Sequence, residues 1–371
     1  MKKLLFINTF HSSTDDRTFY HQAKSLVESG HEVFIFSSFE VKTNSENGVQ
    51  FCSQKINTLG VLAQLRYLIS IIRQYQPYSI ICDSPTGILA AKLAWRPVRI
   101  IYDVTEWIPS KKHLQGSTIL TKTPKFIILL LINLLAGLLT DKFIFGEYHK
   151  SLIFKLFFWK KKCIVPYYPS LSYIPYIPPR ILNNQLCIYY SGWFNVDKGF
   201  SNVIELTKLI ALKAPDTAIT LELTGKYESK TDELLFEKRL SDLPGNVTVG
   251  KHDFLAFPEF CKSLSKADIF LDLRINDFEN THCLPIKLFY YMACGRPVIY
   301  NKLKAIEREV KINEMGMFLE NNNFETIACH ISDYIHQPEK FNEHCENARK
   351  QALSKYNWEI ISPGFVRFVI D

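Results

Sequence analysis

Leu284-Pro-Ile-Lys-Leu-Phe-Tyr-Tyr-Met-Ala-Cys-Gly-Arg-Pro-Val-Ile299 is the stretch on which the reading of this 371-residue chain turns. Proline is tolerated in the first helical turn, where its missing N–H costs nothing, so Pro285 opens a helix. Gly295 suits the left-handed position that closes it. The apolar Val298-Ile299 that follows reads as the start of a strand. A helix that starts in a loop presents unbonded N–H groups, and these favour phosphate. Lys287 lies in the first turn, where a cation opposes the helix dipole by a few tenths of a kcal/mol. An anion at that helix end explains its presence.

Outward from this block, strands and helices alternate. Leu4–Asn8, His31–Ser37, Tyr78–Cys82, Arg99–Val104 and Lys142–Phe145 read as strands. Between them, Arg17–Gly30, Val61–Gln74, Gly87–Ala94 and Phe126–Leu139 have helical spacing or helix-ending glycines. Five prolines between Pro166 and Pro179 break this pattern and read as a linker. The alternation then restarts with strands Leu186–Tyr190, Ala218–Thr224, Asn246–Val249, Ile269–Leu273 and Pro297–Tyr300, and helices Phe200–Leu212 and Phe341–Lys355. Such alternation predicts parallel sheets covered on both faces. The length suits two domains, each doubly wound. The assignment is an acceptor-side domain over 1–170, a linker over 171–184 and a donor domain over 185–356. The C-terminal helix, 357–371, returns to the first domain.

Composition narrows the class. Hydrophobic residues at 47% and charged residues at 22% exclude a disordered chain. Nine scattered cysteines without a C-x-x-C pair indicate reduced thiols in a reducing compartment. Residues 1–180 hold 22 basic and 11 acidic side chains and the rest 22 and 26, so the halves carry +11 and −4. An anionic partner for the first half is one reading of this asymmetry, and a solvated basic face is the other. No dinucleotide fingerprint, Walker loop, nucleophile elbow or zinc-protease signature is present in the sequence. No nucleic-acid module is present either, and nothing in the chain calls for a metal.

Ligands of open α/β sheets bind beyond the carboxyl ends of the strands, so the residues just after each strand matter most. The block Leu284–Ile299 resembles the LPxKLFEYMAxGxPVI signature of family-four glycosyltransferases, which have the GT-B fold. Ser191-Gly-Trp-Phe-Asn-Val-Asp-Lys-Gly199 resembles the glycine–lysine donor loop of that family, and Ile100-Ile-Tyr-Asp-Val-Thr-Glu106 its IYDxHE strand end. Asn8-Thr-Phe-His-Ser-Ser-Thr-Asp-Asp-Arg17 resembles the DxR loop of one branch. The resemblance implies two Rossmann-like domains with the site between them. The implied reaction moves a sugar from a nucleotide-sugar to a lipid-linked or cell-surface glycan precursor, with retention, and takes no cofactor or metal.

Carried over, Gly192, Lys198, Gly225, Leu284, Pro285, Ile286 and Lys287 would hold the donor diphosphate. Lys198 would also act catalytically by neutralising the leaving group. The family's paired glutamates fall on His282 and Tyr290, and Glu279 is a substitute carboxylate. Glu106 and Asp103 are candidate bases for the acceptor hydroxyl. Asp16 and Arg17 would cap the first helix, and His11 would line the acceptor side. Because both glutamates, the motif histidine (Thr105) and an arginine (Trp193) are missing, a non-catalytic GT-B-like partner or glycan-binding protein stays open. So does a nucleotide-sugar epimerase.

Lys142–Lys162 carries six lysines interleaved with Phe154, Leu156, Phe157, Phe158 and Trp159. Aromatic residues with lysine make an interfacial helix on anionic lipid, with an ordinary amphipathic helix as the alternative. The partners expected are therefore a nucleotide-sugar, a glycan or polyprenyl-linked acceptor and an anionic membrane surface, without nucleic acid. The chain is expected at the inner face of the cell membrane. The apolar run Phe126–Leu139 would reach about 21 Å as a helix, short of a bilayer core.

Overall fold

A computed structural model describes residues 1–94 and 97–371. The chain divides into two compact units, residues 1–167 with 359–371, and residues 168–358. Each is a doubly wound sheet with its own apolar core.

The first unit contains β1 (Lys3–Asn8), β2 (Glu32–Ser37), β3 (Ser45–Glu46), β4 (Val49–Phe51), β5 (Ser79–Cys82), β6 (Arg99–Val104), β7 (Lys142–Phe145) and β8 (Lys161–Ile164). Their order is β3-β4-β2-β1-β5-β6-β7-β8, parallel except for β3 against β4. The second unit contains β9 (Gln185–Phe194), β10 (Ala218–Tyr227), β11 (Val247–His252), β12 (Ile269–Asp272), β13 (Val298–Asn301) and β14 (Gly316–Leu319). These run β11-β10-β9-β12-β13-β14, all parallel. Strands such as β1, β7 and β12 are buried on both faces, which is why they read as continuous apolar runs.

The strand order reverses at β1/β5 in one sheet and at β9/β12 in the other. Crossovers leave in opposite directions there and open a crevice at the carboxyl ends. Both candidate sites lie at these switch points.

The proline-rich 171–184 segment, read as a linker, packs on the second unit. Arg180 grips buried Asp268 at 2.9 and 2.6 Å, and Arg296, itself 1% exposed, donates to the Ile177 and Pro178 carbonyls. Three expectations change. Lys142–Lys162 is not one helix but β7, two short turns of helix and the edge strand β8. Its aromatics divide: Phe154 and Phe157 are core, while Phe158 and Trp159 are exposed. The apolar helix is longer than the run suggests, Ile119–Leu139, about 31 Å at 1.5 Å per residue. The first helix opens as a π-turn, Asp16–Ala23, before Lys24–Glu28. Its cap is Asp15, which accepts from the N–H groups of Arg17 and Thr18, and not Asp16 or Arg17.

The last helix, Trp358–Ile370, ends against the first unit. Lys2 and Arg99 donate to the Ile370 carbonyl, and Lys142 to that of Phe368.

Candidate functional site

In the second unit the site grows out of β9. Two glycines face each other where β9 and β10 pair, Gly192 opposite Gly225. Both have positive φ, 145° and 156°. A Cβ on Gly225 would stand 1.8 Å from the Gly192 carbonyl oxygen, so no other residue fits without moving the strand. A Cβ on Gly192 would stand 3.0 Å from the ammonium of Lys287. The missing side chain is what lets Lys287 lie over the strand end.

Beyond Gly192 the chain turns through Trp193–Gly199. Tyr190 fixes the turn, its hydroxyl donating to the carbonyls of Trp193 (2.9 Å) and Lys198 (3.3 Å). The ring of Tyr190 lies 5.5 Å from the Lys287 ammonium, a cation–π distance. Asn280, buried, fixes Lys198 from the other side. It donates to the Asp197 carbonyl at 3.1 Å and accepts from the Lys198 ammonium at 3.5 Å.

Lys287 enters from the Ile286–Cys294 helix, whose first residues follow Pro285. Among the described residues no side chain caps this helix start, and Gly295 closes it with φ 73°. A third cation comes from the end of β12. Arg274 makes a two-toothed pair with Asp272, 2.9 Å at each contact. Burial lowers the Lys287 ammonium to about 8; Asp272 opposes this, while Arg274 and Lys198 add to it. Three cations therefore converge with one buried carboxylate. Placing them together costs free energy that a bound anion would return. With the helix start, the arrangement has the chemistry to receive an anion.

Tyr290 is 2% exposed and lies edge-on to Phe257 and Phe260, within the packed face of the helix. The Nδ1 of His282 lies 2.8 Å from the Phe278 carbonyl, its ring against Phe278. Glu279 is half-buried on the one-turn helix Phe278–Thr281, and Leu284 is half-buried just before Pro285. Trp193, where the family has arginine, is 44% exposed and packs on Phe254. Arg274, Asp272 and Asn280 escaped sequence reading, although Arg274 stands two residues beyond β12 and could have been found there.

In the first unit the switch point gathers carboxylates. Asp83, one residue past β5, accepts from the backbone N–H groups of Thr9 (2.8 Å) and Phe10 (2.9 Å). It also lies 3.1 Å from Nδ1 of His11, whose Nε2 is 3.7 Å from half-exposed Glu106. Burial alone would discharge His11, but hydrogen bonds to Asp83 and Glu106 raise its pKa well above the usual value. Burial would raise Glu106, yet His11 and Lys150 hold it below its usual range. The imidazolium and the Glu106 carboxylate sustain each other.

Asp103 does something else. It is 4% exposed, and Arg17 holds both its oxygens at 2.9 Å while Gln22 adds 2.8 Å. The proposed base is an anchor: Arg17 also donates to the Val165 carbonyl at 2.8 Å, tying the first helix to β6 and the exit of β8. Among the described residues no group of three histidine, cysteine or acidic side chains is arranged to hold a metal.

Comparison with known proteins agrees with this architecture. Residues 211–361 match the family model described as glycosyl transferase-like. No curated protein matches the chain by sequence. Among solved structures, the chain superposes on sucrose-phosphate synthase from Thermosynechococcus elongatus with TM-score 0.72 at 13% identity, over 99% of this chain and 98% of that one. It superposes on HepE from Anabaena in complex with UDP-glucose with TM-score 0.71 at 13% identity, over all of both chains. WaaG, a glycosyltransferase involved in lipopolysaccharide biosynthesis, gives TM-score 0.71 at 13% identity over 99% of each chain. By its two doubly wound sheets and these superpositions the chain has the GT-B fold, and most of its second unit is similar to the glycosyl transferase-like family.

Proposed function

We propose that this chain transfers a hexose from a nucleoside-diphosphate sugar to a lipid-linked glycan precursor, with retention and without a metal. The observation that carries the reading is the seat of Lys198, Lys287 and Arg274 around Gly192, with Asp272 paired to Arg274. In the reaction the bond from the anomeric carbon to the diphosphate oxygen breaks and one to the acceptor oxygen forms. The leaving diphosphate gains negative charge, which the three cations and the Ile286–Cys294 helix start stabilise. The acceptor hydroxyl gives its proton to Glu106 or to the departing phosphate. Asp103 plays no part in this step, since Arg17 and Gln22 occupy its oxygens.

The membrane component of the reading moves from Lys142–Lys162 to the Ile119–Leu139 helix. Ile128, Leu131, Ile132, Leu135 and Leu138 are each 45–58% exposed. By length and composition the helix is apolar enough to cross a bilayer. Its other face is tied down, however. Buried Asn133 accepts from the Tyr102 hydroxyl (2.8 Å) and donates to the Ile108 carbonyl (3.0 Å), and Gly137 abuts Phe154 and Phe157. A helix held this way lies in the interface, and the exposed Lys122 and Lys125 on it suit anionic headgroups at the inner face of the cell membrane.

Incubation with membrane extract and a panel of UDP-, GDP-, dTDP- and CMP-sugars tests the reading, with transfer of label from one donor into the lipid fraction expected. A second reading, a non-catalytic GT-B partner, is favoured by one observation: buried Tyr290 stands where the family holds the donor ribose with a carboxylate. Nucleotide binding without turnover of any donor would select it.

A further inference from the structure

A groove of about 510 Å³ lies between β8 and the Trp358–Ile370 helix, away from the switch-point residues. Its volume is that of a site for a small molecule. Its two ends differ in chemistry. β8 runs parallel to β7 with Lys161 opposite Lys142 and Ile164 opposite Phe145. The helix runs the other way, because Lys142 donates to the Phe368 carbonyl near the helix end. Lys142, Lys161 and Arg367 therefore share one end, with Lys162 next in line. Ile164 and Val165 share the other with Ile360 and Ile361. From Ile360 to Phe368 the helix covers about 12 Å at 1.5 Å per residue.

Asp371 is the one acid lining a groove with four cations. The charges crowd one another: burial, then Arg99 and Lys161, lower the Lys142 ammonium to about 8. The apolar end is open, with Ile164 46% and Ile360 52% exposed. A glycine, Gly364, sits in the helix wall where an added Cβ would meet nothing within 4 Å. Glycine in a helix costs about 1 kcal/mol relative to alanine, so its cost is explained if a larger side chain would fill the groove. β8 is the last strand of the sheet, which leaves the groove unroofed by a further strand.

We infer that this groove binds a single anionic phospholipid, its phosphate between Lys161 and Arg367 and one acyl chain along Ile164, Ile360 and Phe365. Charge complementarity selects the head, and the aliphatic lining, poor in hydrogen-bonding groups, selects a chain over a nucleotide or sugar. The inference is independent of the donor chemistry and of the Ile119–Leu139 helix.

Calorimetric titration of the full chain with monomeric dihexanoylphosphatidylglycerol tests it, with dihexanoylphosphatidylcholine and inorganic phosphate as comparison ligands. Saturable one-to-one binding is expected for the glycerol lipid, at least tenfold tighter than for either comparison. Gly364→Trp, which fills the groove, and Lys161→Glu with Arg367→Glu should each weaken it at least tenfold. Leu131→Glu, on the other apolar helix, should leave it unchanged while reducing vesicle co-sedimentation. Lys161→Glu alone, at an exposed position, provides a folded variant with an intermediate loss should the others fail to fold. Absence of saturable binding, equal affinity for the choline lipid or for phosphate, or affinities unmoved by the groove variants would overturn the inference.

Discussion

The two switch points carry similar residues in opposite electrostatic states. In the first unit each charge has a partner: Arg17 is shared by Asp103 and a carbonyl, and His11 stands between Asp83 and Glu106. In the second unit Arg274 takes Asp272, while the contacts of Lys198 and Lys287 are an amide, a ring and a glycine. Charges that satisfy one another hold a fold together. Charges that crowd without compensation mark where a ligand supplies what is missing.

Removing a partner from the compensated cluster should therefore cost the fold most. Arg17→Ala leaves Asp103 buried and unpaired, so a loss of about 3–5 kcal/mol is expected, read from the denaturant midpoint. Removing a cation from the crowded cluster should spare the fold and cost catalysis. Lys287→Ala is expected to lower turnover by about 10²–10³, by analogy with a lost anion-stabilising donor, while the melting temperature at neutral pH rises, because a buried ammonium is removed. Lys198→Ala should cost about 100-fold, with near wild-type turnover removing Lys198 from the site.

Smaller effects appear as pH dependence. The Lys287 ammonium titrates at about 8 in the free protein, so diphosphate affinity should decline as pH rises through that value. The unfolded chain holds this proton up to about 10.4, so between these values it binds more protons and stability should rise with pH. Lys287→Ala should flatten both slopes. The signs reverse in the first unit. His11 titrates above its unfolded value, so its contribution is complete below about pH 6.5 and fades as pH rises through the higher folded value. Asp15, raised to about 6 first by burial and then by Asp16, likewise favours the fold below about 3.9 and loses that advantage as pH rises through 6. His11→Gln should remove the upper of these windows in melting curves measured from pH 5 to 9.

Much of this was legible in the sequence, for identifiable reasons. Double burial made the parallel strands continuous apolar runs, and Pro285 and Gly295 marked their helix within a residue. Gly192 and Lys198 were legible through the resemblance of their loop to the family's donor loop, and Lys287 through its place in a first helical turn; the structure brings Gly192 and Lys287 together. Arg274 stood two residues past a strand, within reach of the same rule, but the role of Asn280 was not legible, because it depends on the ends of separate elements meeting. Asp103 misled for a related reason. A carboxylate at a strand end looks like a base until Arg17, 86 positions away, is seen on both its oxygens. The lysines of Lys142–Lys162 do not form one face, because Lys142 and Lys160 turn inward to cap carbonyls while Lys161 stays exposed.

The most direct measurement of the central claim uses a ligand with no base and no sugar. Inorganic pyrophosphate titrated into the wild-type chain by calorimetry should bind saturably. Lys287→Ala and Lys198→Ala should each weaken that binding tenfold or more, while Lys155→Ala should not. Pyrophosphate affinity unaltered by the loss of Lys287 and Lys198 would contradict the account.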